Sequence, residues 1–235
     1  MKKILKKRFN LVFCTIVLSI VLIFIFKDNL TKKSFAREVD EIYTGMDKYI
    51  ENEVKINSSL AMSSNPYDYI KNNPYYDKIV SMGVKVLPEL ERHLQIEGEG
   101  LDGYITALAI EEIFDCSVSS IKNNAWENGK EFESLWLVVK NDIEDDITGI
   151  ITCGNTTDEI INQLNKYGTL AAPFLDNIIN NSSKSNNNAT AGVEINETEI
   201  KELSEYRESL KINKNEVELL SDFLKLDWLG GLYEK

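Results

Sequence analysis

Apolar and polar positions repeat in the same order at two places along the chain. Both copies follow the pattern G-x-x-x-x-P-x-L-x-x-x-(L/I), with Gly83, Pro88, Leu90 and Leu94 in the first copy and Gly168, Pro173, Leu175 and Ile179 in the second. Glycine readily adopts the left-handed conformation that ends a helix, and proline is tolerated in the first turn of the helix that follows. The apolar positions after the proline recur at helical steps and share one face. The pattern therefore predicts two helical hairpins, each joined at its glycine.

Most of the chain after residue 33 has the same helical spacing. The predicted helices cover residues 34–56, 74–82, 87–96, 101–114 and 157–167, a segment from about Lys130 into an acidic run, and two segments that begin at Asn196 and Asn213. Paired helices of this kind cannot bury their apolar faces alone, so they need neighbours stacked beside them. We expect an all-α domain of stacked helical hairpins.

The helix predicted at 34–56 carries an apolar stripe with alternating steps of four and three. Its members are Phe35, Val39, Ile42, Met46 and Tyr49. This spacing is typical of a coiled-coil seam, but two heptads are too few to establish one. The stripe either packs against its own domain, which we favour, or pairs two copies of the chain.

The N-terminal segment predicts a membrane anchor. Residues 2–8 hold five positive charges, and residues 11–26 hold no charge. Sixteen apolar residues rise about 24 Å as a helix, and flanking lysines can reach both interfaces of the bilayer. A cleaved signal peptide is the alternative, with a cleavage site at 34–36. The charges before the span place the N-terminus in the cytoplasm and the remainder outside the cell.

These signals divide the chain into three parts. Residues 1–33 form the basic segment and the single transmembrane anchor, 34–64 form a juxtamembrane helix and linker, and 65–235 form the helical domain, with a flexible polar loop at about 181–195. The formal net charge of the chain is −12 at pH 7. An acidic chain repels the phosphate backbone, so we exclude a nucleic-acid partner.

The first repeat carries a resemblance to a known family. The stretch G-V-K-V-L-P-E-L at 83–90, followed by A-L-A-I-E-E-I at 107–113, resembles HEAT-type repeats, in which paired helices stack into an α-α superhelix. The resemblance covers roughly 74–114 and 157–180. The segment from 65 to 113 also resembles an extracytoplasmic domain of low-GC Gram-positive bacteria that is sometimes appended to membrane sensor metallopeptidases. The H-E-x-x-H motif of those peptidases is absent from this sequence, so the resemblance implies a fold and no activity.

Residues with catalytic or metal-binding chemistry are sparse in this sequence. His93, the only histidine, lies beside charged residues on a predicted helix, so we expect it to be exposed. Glu111 and Glu112 form a carboxylate pair of the kind that a glycosidase uses, but acids on a helix are usually solvated. Cys116 and Cys153 either form a disulfide or remain buried thiols.

An acidic run near the end of the helix from Lys130 has oxygen ligands at the alternating positions typical of a calcium loop. Its members are Asp142, Glu144, Asp145 and Asp146. An EF-hand loop needs a turn glycine and a final glutamate, and this chain has Ile147 and Cys153 at those positions. We interpret the run as a solvated acidic turn and predict no catalytic, cofactor or metal site.

The function predicted from these features is a membrane-anchored, extracytoplasmic protein-interaction or scaffolding module without catalysis. Exposed aromatic residues could anchor a protein partner, and the candidates are Tyr67, Tyr69, Tyr75, Tyr76 and Trp126. The alternative is an extracytoplasmic sensor or immunity-like accessory protein that binds a cationic envelope ligand in an acidic groove. A third hypothesis is an enzyme of unrecognised type. The oligomeric state is left open.

Overall fold

The computed structural model describes the backbone of residues 2–153, 156–184 and 196–230, and the side chains of residues 19, 27, 30–153, 156–180 and 196–224. Over these residues the chain is all-α, with no β-strand. The helices are α1 Lys2–Ile56, α2 Ser58–Ala61, α3 Tyr67–Ile70, α4 Pro74–Ser81, α5 Leu87–Glu97, α6 Leu101–Phe114, α7 Val118–Lys122, α8 Gly129–Cys153, α9 Thr157–Leu164, α10 Ala172–Lys184, α11 Glu197–Ser209 and α12 Lys214–Gly230.

The predicted repeat is confirmed as a unit of local structure. Helices α4 and α9 both have eight residues, and a glycine at positive φ comes after each, +59° at Gly83 and +51° at Gly168. Helix α9 ends at Leu164 and not at the predicted Tyr167, so a turn at 165–167 separates it from its glycine. A short 3-10 turn comes next in both copies, at Gly83–Val86 and at Gly168–Ala171. The longer helices α5 and α10 then begin, with proline in the first turn. The 3-10 turn between the paired helices was not predicted.

Helix α1 is longer than the pattern predicted. It runs without a break from Lys2 to Ile56 and includes the predicted anchor at 11–26, whose side chains other than that of Ser19 lie outside the described part of the structure. No helix that the structure describes there or elsewhere has the length and apolar content needed to cross a membrane.

The apolar stripe of α1 packs on the chain itself. Val39 and Met46 have no exposed surface, and Ile42 is nearly as buried. Helix α4 contacts α1 along this face. Tyr49 lies at the edge, where its hydroxyl donates to the backbone oxygen of Asn72 at 3.2 Å. Packing against its own domain, the favoured interpretation of the stripe, is confirmed.

Helix α6 is the centre of the core. It contacts α4, α5 and α8, and Ile105, Ala107 and Ile110 on different sides of the helix are all fully buried. A helix that is apolar on all sides is one surrounded by protein. The end of α6 therefore has a fixed position relative to both copies of the repeat.

Three glycines allow the helices around α6 to approach closely. A Cβ atom on Gly103 would lie 2.6 Å from the Cα atom of Gly98, and one on Gly129 would lie 2.7 Å from the carbonyl carbon of Gly103. The backbone N–H of Lys130 donates to the oxygen of Gly98 at 3.1 Å. The start of α8 is thus held against the turn between α5 and α6.

The prediction of an acidic turn after Val139 is wrong. Helix α8 continues through the acidic run to Cys153. The reason is a buried stripe at four-residue steps, Ile143, Ile147 and Ile151, which extends the apolar face of the helix. The acids occupy the other faces of the same helix, where they do not interrupt it.

Helices α9, α11 and α12 each begin directly after a residue whose side chain caps the helix. Thr156 accepts from the N–H of Glu159. Asn196 and Asn213 each form a reciprocal pair with the glutamate three residues later. Helix α10 extends to Lys184, past the start of the predicted loop at 181–195, and the remainder of that loop lies outside the described residues.

Candidate functional site

A groove of about 790 Å³ lies at the end of α6. Its lining comes from the first repeat and its surroundings, from the turn between α6 and α7, and from the end of α9. The lining residues are Tyr67, Tyr76, Leu108, Glu111, Glu112, Asp115, Cys116, Ser117, Ser120, Asn162, Gln163, Asn165 and Lys166. The groove is therefore built from both copies of the repeat.

The second glycine turn packs directly against the end of α6. A Cβ atom on Gly168 would lie 2.1 Å from the carbonyl oxygen of Phe114 and 2.4 Å from that of Asp115. The hydroxyl of Thr169 donates to the same Phe114 oxygen at 3.2 Å. Only glycine allows this approach, and the approach brings α9 beside the acidic residues of α6.

Two of the three carboxylates in the groove are held by hydrogen bonds. The hydroxyl of Tyr76 donates to Oε2 of Glu112 at 2.7 Å. The backbone N–H of Val118 donates to Oε1 of Glu111 at 2.7 Å. Asp115 is the left-handed C-cap of α6, a conformation that aspartate tolerates better than most residues. Glu112 and Asp115 are exposed, whereas Glu111 is half-buried.

Burial sets the protonation of the groove. It raises the pKa of Glu111, and hydrogen bonds from Val118, Trp126 and Ser117 oppose that rise. Burial is also the largest cause of the raised pKa of Cys116, to which the charges of Glu111 and Asp115 add. A thiol with a raised pKa is protonated at neutral pH, and the nucleophilic form of cysteine is the thiolate. The groove thus presents carboxylates and a neutral thiol.

The remaining lining residues supply polar and aromatic contacts. Tyr67 is 57% exposed, and burial followed by the charge of Glu111 raises the pKa of its hydroxyl. Asn162, Gln163 and Asn165 provide amides that both donate and accept. Lys166 is the one cation among the lining residues. The groove is suited to bind a positively charged group that also offers hydrogen-bonding atoms.

A second, smaller cavity of about 300 Å³ lies between α8, α10 and α12. Lys140 lines it, but the side chain of Lys140 is only 2% exposed and its Nζ atom lies 2.5 Å from Oε1 of Glu91. Trp136 donates to the same oxygen at 2.6 Å. The charge of Lys140 is thus neutralised inside the core, so we treat this network as structural.

The structure corrects the placement of His93. The sequence predicted an exposed histidine, but the side chain of His93 is only 13% exposed. Its ring stacks on Tyr43 with the centroids 3.8 Å apart, and Nε2 lies 3.2 Å from Oδ1 of Asp40. The error has a simple cause, because Asp40 and Tyr43 belong to α1, which the local helix pattern around His93 does not include.

The predicted aromatic anchors separate into exposed and packed residues. Tyr67 and Tyr75 are exposed, while Tyr76 is buried and Tyr69 donates its hydroxyl to the backbone oxygens of Leu60 and Ser63. Trp126 packs against Tyr104 and Phe132. Of this set, Tyr67 and Tyr76 line the groove.

Several candidate residues have no ligand-binding arrangement. Cys116 and Cys153 are free thiols, and Cys153 is exposed, so neither predicted state of the pair is found. No group of three or more His, Cys, Asp or Glu side chains in the described part of the chain lies close enough together to hold a metal ion. Asp142 and Asp146 instead accept from Nζ of Lys122, at 2.8 Å and 3.0 Å.

Sequence reasoning found the pair Glu111 and Glu112 but not the groove around them. Asp115 and Lys166 were missed because the helices that bring them together are far apart in the chain.

The sequence matches no protein-family model, and comparison with curated proteins and with solved structures found no match.

Proposed function

We propose that the chain is a membrane-anchored, extracytoplasmic binding module whose acidic groove receives a cationic ligand. The observation that carries this proposal is the groove at the end of α6, where Glu111, Glu112 and Asp115 are lining residues and Lys166 is the single lining cation. The net charge of −12 adds a long-range attraction for cations. We propose binding and not catalysis, because the raised pKa of Cys116 keeps it as a thiol, and the nucleophilic form of cysteine is the thiolate.

The chemistry of the lining favours a basic peptide segment as the ligand. Exposed carboxylates pair with the side chain of arginine or lysine, and the ring of Tyr67 can stack on a guanidinium. The amides of Asn162, Gln163 and Asn165 suit the N–H and C=O groups of a peptide backbone. Such a segment belongs either to a protein partner or to a free cationic peptide of the cell envelope.

The proposed setting rests on the N-terminal sequence and on the repeat. Five positive charges followed by an uncharged run support a single span with the groove outside the cell. Two helix–glycine–helix units, each with a first helix of eight residues, support a HEAT-like α-α superhelix, a fold that typically presents extended binding surfaces. The scaffold and the ligand-binding hypotheses converge on the same groove.

The test compares two peptides and three variants of the full chain in neutral detergent micelles. A blocked glycine peptide carrying arginines is titrated by calorimetry, and the same peptide with neutral citrulline in place of arginine is the control ligand. Glu112→Gln and Asp115→Asn should each weaken arginine-peptide binding by about tenfold, since a charge-assisted hydrogen bond contributes about 1.5–3 kcal/mol. Raising the salt concentration should weaken binding by the wild-type chain.

The matched control is Glu218→Gln, which removes one exposed negative charge from α12 outside the groove. Its affinity should stay within about twofold of wild type, because exposed charges far from a ligand are screened. Equal binding of the citrulline peptide, or equal losses in Glu218→Gln and Asp115→Asn, would contradict the proposal.

A further inference from the structure

The only histidine of the chain lies at the junction of three helices. His93 belongs to α5, and its ring stacks on Tyr43 of α1 with an interplanar angle of 16°. Tyr43 is 5% exposed and shares a hydrogen bond of 2.8 Å with the hydroxyl of Thr106 on α6. The ring of His93 thus covers a buried contact between α1 and the centre of the fold.

Charged groups from all three helices surround the ring. They are Asp40 on α1, Glu89 and Arg92 on α5, and Asp102 on α6. Arg92 already pairs with both Asp40 and Glu89. The carboxylate next to His93 therefore has a permanent cation before the histidine gains any charge. Protonation of His93 would place a second cation beside that carboxylate. This charge would lie on the ring of His93, which has little access to water.

We propose that His93 is a pH-sensitive contact, which holds α1 against α5 while its ring is neutral and loosens this part of α1 when the ring is protonated. His93 and its partners Tyr43 and Asp40 do not line the groove, so this contact does not depend on a ligand there. It concerns the segment of α1 from Asp40 to Met46, which connects the N-terminal apolar run to the core.

The direction of the effect follows from burial and from the neighbouring arginine. Burial, and then the charge of Arg92, lower the pKa of His93 below its usual value of 6.5, while Asp40 opposes the change. The folded chain then binds fewer protons than the unfolded chain between these two values. The stability contributed by His93 is complete above about pH 6.5 and is lost as the pH falls through the lower folded-state value.

Asp47 lies one turn after Tyr43 on α1, and its protonation changes the stability of the chain in the opposite direction. Burial, and then the charges of Asp102, Glu51 and Glu97, raise its pKa to about 6. Its protonation relieves repulsion, so Asp47 adds stability at low pH and loses it as the pH rises through about 6. A test of His93 must remove this second titration, which Asp47→Asn does.

The experiment uses the full-length Asp47→Asn chain in neutral detergent micelles. A single histidine gives a single Cε1–H resonance, whose NMR titration should have its midpoint below pH 6.5. Amide protection factors in α1 around Tyr43, corrected for the intrinsic exchange rate, should fall by up to about tenfold per pH unit below that value, the limit for one proton. Protection in α9 should stay constant over the same range.

The matched control adds His93→Gln, which remains neutral at every pH and keeps a polar side chain beside Asp40. In this variant the protection of α1 should fall much less between pH 7 and 5 than it does in Asp47→Asn alone; the titration of Asp102, whose pKa burial raises, is common to both chains. A midpoint at or above 6.5 would overturn the proposal. The proposal would also be overturned if the double variant kept the pH dependence of the Asp47→Asn chain. If the double variant failed to fold, the midpoint of the histidine resonance in the Asp47→Asn chain would decide between the two outcomes.

Discussion

Two glycines with the same backbone conformation differ in what surrounds them. Gly83 and Gly168 both have positive φ, but a Cβ atom on Gly83 would approach only the flexible side-chain oxygen of Glu216, at 3.2 Å. A Cβ atom on Gly168 would meet backbone oxygens of Phe114 and Asp115, which cannot move aside without shifting α6. The same sequence signal therefore has two physical roles. The first glycine follows the C-cap of α4 and turns the backbone there, and the second permits a close contact with the end of α6.

Substitution of each glycine by alanine should separate these roles. Gly83→Ala should lower the free energy of unfolding by about 1–2 kcal/mol, the cost of a left-handed backbone with a side chain. Gly168→Ala should cost about 3 kcal/mol or more, because overpacking is added to the same backbone cost. Urea unfolding followed by circular dichroism measures both. Equal losses at the two positions would show that Gly168 is needed only for its left-handed backbone and not for the contact with α6.

Residue patterns predicted where helices begin and end better than which other helices pack against them. The two glycine turns and the helix starts at Asn196 and Asn213 are predictable from local spacing, because capping involves atoms within a few residues. His93 was assigned to solvent because its partners are on α1, more than fifty residues away. A pattern read along one helix contains no information about which other helix will cover it.

Elements whose apolar stripe continues past a polar run are longer than their composition suggests. Four acids in five residues led us to end α8 early, yet Ile143, Ile147 and Ile151 continue the buried face to Cys153. The period of the apolar positions was the better guide, since burial of isoleucine stabilises a helix by more than exposed acids weaken it. The groove could not be predicted in this way, because it depends on how α9 packs beside the end of α6.

Close packing of α5, α6 and α8 depends on glycines inside or beside helices. Gly103→Ala should lower the free energy of unfolding by about 1–3 kcal/mol, because the new methyl group would lie 2.6 Å from the backbone of Gly98. Gly149→Ala is the matched control, since it lies within α8 and has no atom within 4 Å of the added Cβ. It should stabilise the chain by up to about 1 kcal/mol through helix propensity.

Denaturant unfolding of the two variants measures this difference directly. A destabilised Gly149→Ala would mean that propensity does not govern this helix. A neutral Gly103→Ala would mean that α6 moves away from the preceding turn at little cost, and that the glycine contact does not position the helix.

At the scale of the whole molecule, one buried ion pair connects the early and late helices. Glu91 of α5 accepts from both Trp136 and Lys140 of α8, and Nζ of Lys140 lies 5.2 Å from the ring centroid of Phe223 on α12. Neither copy of the repeat contains all of these groups. The network therefore contributes to the packing of α12 against the rest of the stack, beyond the contacts within each hairpin.

Removing one charge of this pair should be more harmful than removing both. Glu91→Gln removes the carboxylate that lies 2.5 Å from the buried ammonium of Lys140 and should cost about 3–5 kcal/mol. Lys140→Met should cost less, because Glu91 is more exposed and retains its hydrogen bond from Trp136. The double variant should recover part of the loss, and urea unfolding of all four chains gives the coupling free energy. Additive losses would show that the two charges do not stabilise each other, and the packing of α12 would then depend on its other contacts.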